Sequence, residues 1–224
     1  MSKCEYGFLL QCESAMDIRK IPTKCIYNCF VKKKYEVPTA VIKWQNHFDQ
    51  LASIDWQNIF KLSYSCTRET QLQAFQYRII NRYLPCRDLL FKMSISDSNV
   101  CKKCNETDTI DHYLFSCRQI RDFWAEVETW LNSNSDCEVT LPLKHILLGF
   151  FYDLKYFSSI NYVVLLGKFY IYRQKMNDGT ICLRNFLSLL KYKLDIEKTI
   201  CQNSDNPHTL LHFNTKWSTI YEAL

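Results

Sequence analysis

The stretch "CKKCNETDTIDHYLFSC", residues 101–117, sets three cysteines and one histidine within a chain otherwise patterned for apolar helices. Cys101 and Cys104 form a C-x-x-C pair, the spacing at which a tight turn aims two thiolates at one point. His112 follows after seven intervening residues and Cys117 after four more. The run "IDHYLFSC" is expected to begin a helix, so that both side chains face back toward the turn. Four soft sulfur and nitrogen donors then close a tetrahedral cage around one structural zinc ion. Three thiolates and Zn2+ leave a charge of about −1, which Lys102 and Lys103 inside the turn offset. A filled ligand set leaves no position for a reactive water, so the ion holds structure and performs no chemistry. In a chain with 12 cysteines a chance gathering competes with this reading. The order of pair, gap and closing pair favours the metal.

Helical signals flank the loop on both sides. In "TRETQLQAFQYRIINRYLP", Leu72, Phe75, Ile79 and Tyr83 recur at helical spacing and Pro85 stops the run. "CRQIRDFWAEVETWLN" offers Ile120, Phe123, Trp124, Val127 and Trp130 to a core. Further out, "TAVIKWQNHFDQLASIDWQNIFKL" suggests two short helices, the second capped by Ser53 or Asp55. Two long helices are expected at about 160–176 and 183–202, split by "MNDGT". The first is apolar nearly all round except for Asn161, Lys168 and Lys175, which implies burial against several neighbours. The expected fold is therefore mainly α: a helical bundle with an inserted CCHC zinc-knuckle loop and an irregular or short-strand N-terminal arm. Residues 1–40 would form that arm, 41–132 the metal-bearing helical segment, 138–204 a helical pair and 205–224 a weakly patterned tail.

Composition agrees with a helical class. Only 4 glycines and 5 prolines in 224 residues argue against a turn-dense all-β fold. The longest apolar run, "YVVLLGKFYIY", is too short to cross a bilayer, so no membrane partner is expected. No secretory signal is expected in "MSKCEYGFLLQC", and the many cysteines then imply reduced thiols in a cytoplasmic or nuclear protein. The net charge of +5 is unevenly spread. Residues 68–121 carry nine Lys/Arg against six Asp/Glu, whereas residues 122–160 carry two against six. Charge alone fits a mixed solvated surface as well as a basic face.

The run "FQYRIINRYLPCRDLLFKMSISDSNVCKKCNETDTIDHYLFSCRQIRDFWAEVETWL" resembles the zinc-binding segment that follows the polymerase core in LINE-type non-LTR retrotransposon reverse transcriptases. Shared features are the "FQYRI" helix, the C-x-x-C pair, the "ET…H.LF..C" closure and the aromatic "FW….W" helix. "DIRKIPTKCIYNCFVKKKYEVPTAVIKW" and "LLGKFYIY" extend the likeness over most of residues 17–200. The resemblance implies a C-terminal piece of a polyprotein that helps hold template RNA or target DNA near a polymerase. The family's aromatic-x-Asp-Asp palm site has no counterpart, since "FYDL" at 151–154 carries a lone aspartate. No triad of carboxylates suited to two-metal chemistry stands out either, so no enzyme activity is expected.

With that resemblance, the cations around the loop become candidates for nucleic-acid contact: Arg78, Arg82, Arg87, Lys92, Lys102, Lys103, Arg118 and Arg121. Arg78 and Arg82 would share one helix face, with Tyr83 and Tyr113 stacking bases. RNA or single-stranded DNA is the expected partner. The alternative is a protein-interaction domain with a purely architectural zinc site, whose aromatics Phe123, Trp124 and Trp130 meet a partner such as a reverse transcriptase core. The pairs Cys25/Cys29 and His208/His212 lack further ligands nearby and are expected to be incidental, and His47 and His145 to be packing residues.

Overall fold

The helical periodicities fold as expected where they are strongest. The computed structural model describes residues 22–33, 36–48, 56–135 and 138–224. The chain divides into two units, Met1–Ile42 and Lys43–Leu224. In the first, Thr23–Lys33 is a helix, α1, and a second helix, α2 (Thr39–His47), runs across the division. Where the sequence suggested strand fragments or an extended arm, residues 23–33 are thus helical. Pro22 starts that run, its carbonyl accepting from the Cys25 amide at 2.8 Å, and no glycine or proline interrupts it. Residues 1–21, 34 and 35 of that arm lie outside the described residues, as do Ser53 and Asp55.

The second unit contains α3 (Trp56–Cys66), α4 (Thr70–Ile80), α5 (Arg87–Lys92), a π-helical turn (His112–Ser116), α6 (Arg118–Asn134), α7 (Leu143–Leu148), α8 (Ser158–Met176), α9 (Leu183–Gln202) and α10 (Pro207–Glu222). No strand occurs among the described residues; one isolated bridge pairs Val100 with Thr107. The mainly helical class stands.

Helix α8 is the hub. Residues 160–168 are buried without interruption, because α3, α4, α7, α9 and α10 all pack on it. Helix α6 approaches it closely at Gly167, where an added Cβ would stand 2.8 Å from Trp124 Cη2. Trp124 itself is buried and donates from Nε1 to the Leu114 carbonyl at 2.8 Å, tying α6 to the π-helical turn. Its neighbour Phe123 is equally buried. Two of the three aromatics expected to face a protein partner therefore sit in the core, and the third, Trp130, is half-buried.

The polar strip of α8 points inward as well. Asn161 clasps the preceding loop, accepting from the Phe150 amide at 2.8 Å and donating to the Phe150 carbonyl at 3.0 Å. Lys168 is 1% exposed and donates to Gln76 Oε1 at 2.5 Å, with the Leu147 carbonyl at 3.4 Å.

The last twenty residues depart from expectation. In place of a weakly patterned tail, Pro207–Glu222 forms α10, started by Asn206, whose side chain accepts from the His208 amide at 3.0 Å. Phe213, Trp217 and Ile220 recur at helical spacing and are buried, and α10 packs on α9, α8 and α6. Burying three such side chains is worth ~1.5–3 kcal/mol each, which fixes the helix to the unit.

Candidate metal centre

The loop after α5 folds back on itself at the Val100–Thr107 bridge. The Cys101 amide donates to the Glu106 carbonyl at 2.8 Å, and the Asn105 amide to the Cys101 carbonyl at 3.0 Å. Asn105 holds a left-handed backbone, φ 63°, a conformation that asparagine tolerates better than most residues. The knuckle thereby turns Cys101 and Cys104 to the same side.

The other two donors are brought round by the π-helical turn. In an α-helix of 3.6 residues per turn, side chains five apart point about 140° away from one another. Here the Cys117 amide bonds the His112 carbonyl, five residues back, at 3.2 Å. That wider turn returns Cys117 to the side of His112. Thr109 starts it, its Oγ1 accepting from the His112 amide at 3.2 Å. A helical approach was expected from the sequence; its widening by one residue was not.

As a result, the thiol sulfurs of Cys101, Cys104 and Cys117 and a ring nitrogen of His112 all lie within 4.8 Å of one another. Zn–S and Zn–N bonds of about 2.3 and 2.1 Å place tetrahedral donors about 3.8 Å apart, so the cluster is already near the size of a zinc cage. Cys104 Sγ lies 3.2 Å from His112 Nε2, so Nε2 is the ring nitrogen turned toward the cysteine and placed to serve as a ligand. The opposite nitrogen, Nδ1, lies 3.1 Å from Glu106 Oε2, the carboxylate contact that fixes the tautomer of a metal-binding imidazole. Cys101, His112 and Cys117 are buried, while Cys104 is exposed. No second group of three or more such donors occurs among the described residues.

Electrostatics favour a cation here. Burial raises the Cys117 thiol to about 11; Lys175 opposes this, and the neighbouring Cys101 and Cys104 add to it. Cys101 is also raised by burial, yet the amides of Lys103 and Cys104, the Lys175 charge and the Cys104 thiol bring it below its ordinary value. The surroundings thus favour the thiolate at Cys101 and the neutral thiol at Cys117. Cys117 also stands at the N-cap of α6, where the helix dipole favours the residual negative charge of a loaded site.

Lys175, at the end of α8, anchors the loop. It donates to the Tyr113 carbonyl at 3.0 Å, lies 4.1 Å from the centre of that ring, and stands 3.7 Å from Asp108. Tyr113 is 5% exposed and cannot stack a base as the sequence suggested; Tyr83 is exposed and pairs edge-on with Tyr77.

The candidate nucleic-acid cations have different fates. Arg82 does not share a helix face with Arg78, because α4 ends at Ile80. Its backbone is left-handed, φ 58°, and the amides of Arg82 and Tyr83 bond the carbonyls of Ile79 and Arg78 at 2.9 and 3.1 Å, closing the helix end. The Arg82 guanidinium then lies 4.5 Å over the Trp44 ring, a packing role. Lys92 pairs with Asp88 at 2.7 Å. Arg78, Lys103, Arg118 and Arg121 are exposed and form no ion pair among the described residues. Arg87, Lys102 and Lys103 come together with Lys175 around one cleft of about 200 Å3 beside the metal cluster. Lys175 was not among the candidates, since its place on an apolar helix pointed only to packing.

A family model described as zinc-binding in reverse transcriptase matches residues 22–124, a span that contains all four donors. No curated protein and no solved structure matches the chain. No helix among the described residues is long and apolar enough to cross a membrane.

Proposed function

We propose that this chain is a non-catalytic, zinc-stabilised module that binds RNA or single-stranded DNA, and that it corresponds to the C-terminal part of a LINE-type retrotransposon reverse transcriptase. Cys101, Cys104, His112 and Cys117 would hold one Zn2+. Bound there, the ion supplies cross-linking and charge neutralisation, and four protein donors leave it no open position for a substrate. Zinc-finger sites of this kind release ~10–16 kcal/mol on binding, enough to decide whether the loop folds.

The observation that carries the proposal is the cleft beside the metal cluster, where Arg87, Lys102, Lys103 and Lys175 converge. Exposed Arg118 and Arg121 continue the positive charge onto the first turn of α6, where the helix dipole disfavours cations. Placing cations there costs stability, and a polyanion bound at that surface offsets the cost. Phosphate contacts carry affinity without sequence, so binding should be strong at low salt and indifferent to base composition. The competing role, a protein-interaction surface built on Phe123, Trp124 and Trp130, is less favoured because two of its three rings are buried and the third is half-buried.

The test is titration of the zinc-loaded protein into labelled single-stranded RNA across a salt series. Affinity should fall linearly in logarithmic coordinates, and changing Lys102, Lys103 and Arg121 to Ala should each reduce the slope by about one. A triple variant that binds with the wild-type affinity and slope would overturn the proposal.

A further inference from the structure

The cleft next to the metal cluster is walled by three separate pieces of chain. Lys102 and Lys103 come from the knuckle, Arg87 from the start of α5, and Lys175 and Asp178 from the end of α8 and the turn after it. Four cations face two carboxylates, and both carboxylates are only partly engaged. Asp178 meets Lys102 at 3.4 Å in an exposed pair, an interaction worth little that yields readily to a phosphate. Asp108 is 3% exposed; its Oδ2 accepts from the Arg87 amide at 3.4 Å, yet its Oδ1 has no hydrogen-bond partner, with the Lys175 ammonium 3.7 Å away. Buried acceptors in folded proteins are normally matched by donors. The cleft therefore carries surplus positive charge, four cations against two carboxylates. The phosphate of a nucleotide supplies the matching negative charge. At about 200 Å3 the space is smaller than an ordinary small-molecule pocket and suits a single unit.

We propose that this cleft seats one nucleotide unit of a single-stranded polynucleotide, and that strand and zinc bind cooperatively. The inference rests on the nucleic-acid function proposed above and extends it to Gln119 and the turn after α8. Cooperativity follows from covalent placement. Lys102 and Lys103 lie between two metal donors, Cys101 and Cys104, so the ion that fixes the knuckle also fixes two of the four phosphate contacts. Linkage is reciprocal, so the factor by which zinc raises strand affinity is the factor by which the strand raises zinc affinity.

Gln119 provides the probe. It is exposed, lines the cleft and lies in the first turn of α6. Gln119→Glu puts a carboxylate into the cleft at a helix position that favours negative charge, so the fold is preserved. With a fluorescently labelled single-stranded oligoribonucleotide and zinc-loaded protein at low salt, the variant should bind about tenfold more weakly, with an unchanged circular dichroism spectrum. In competition with a chromogenic chelator, saturating oligonucleotide should raise the zinc affinity of the wild-type protein about fivefold or more. If Gln119→Glu binds like the wild type, the cleft is not the seat, although the wider nucleic-acid function survives. If the oligonucleotide leaves zinc affinity unchanged, the cooperativity is wrong. A wild-type protein that fails to bind the oligonucleotide overturns this inference and the proposed function together.

Discussion

At the scale of single residues, Lys168 carries the sharpest consequence. Its ammonium is buried among neutral acceptors, Gln76 Oε1 and the Leu147 carbonyl, and burial lowers its pKa from 10.5 to about 7. Between pH 7 and 10.5 the folded chain therefore binds fewer protons at this site than the unfolded chain. The destabilisation is complete below about pH 7, shrinks as pH rises and is gone above the unfolded value, with an upper bound of ~5 kcal/mol. Denaturant unfolding of the zinc-loaded protein between pH 7 and 10 should show stability rising from this source, and Lys168→Met should remove that component of the slope. Equal slopes in the two proteins would show that the amine is not buried as described. Nothing in "LLGKFYIY" announces this: a lysine in an apolar helix reads as a solvated interruption unless the partner Gln76, 92 residues away, is known. Arg82 is a similar case. Its spacing from Arg78 is helical, and only the left-handed backbone that ends α4 sends it to Trp44 instead.

At the scale of elements, the π-helical turn His112–Ser116 is the device on which the metal cluster depends. The four donor residues are legible in the sequence because C-x-x-C and its closing pair have a recognisable spacing. The turn that brings them together is not, because "HYLFSC" fits an α-helix equally well. Inserting one alanine after Phe115, in the middle of the turn, would put the cysteine six residues beyond His112, about 120° away around an α-helix, and so aim its thiol away from the imidazole. Re-aiming that thiol should weaken zinc binding at least ~10–100-fold, the scale on which even outer-shell changes act. Chelator competition would check this, and an insertion variant with wild-type zinc affinity would show that the spacing set by the widened turn is dispensable. Helix α10 was hidden differently. Phe213, Trp217 and Ile220 do form an apolar stripe, but polar residues surround each of them, and the stripe gains meaning only when α9 and α8 supply a surface.

At the scale of the whole unit from Lys43 to Leu224, two sources of order coexist. Helices α3, α4, α6, α8, α9 and α10 share a continuous buried cluster in which Trp44, Trp124 and Trp217 are fully enclosed. The knuckle between α5 and α6 is short of apolar contacts around its turn, where residues 102–107 are all exposed. It is pinned to the core by Lys175 and Arg87, the latter donating to the Val100 carbonyl at 3.2 Å. Periodicity revealed most of the first source, since the apolar stripes of α4, α6, α8 and α9 are strong. The second was visible only as chemistry, four donors without an obvious scaffold. The most direct measurement is native mass spectrometry of the purified chain. One zinc ion per chain, with three protons displaced and the ion lost from a Cys104→Ser variant, is the predicted result. A wild-type chain that carries no metal after purification in zinc-containing medium would contradict it.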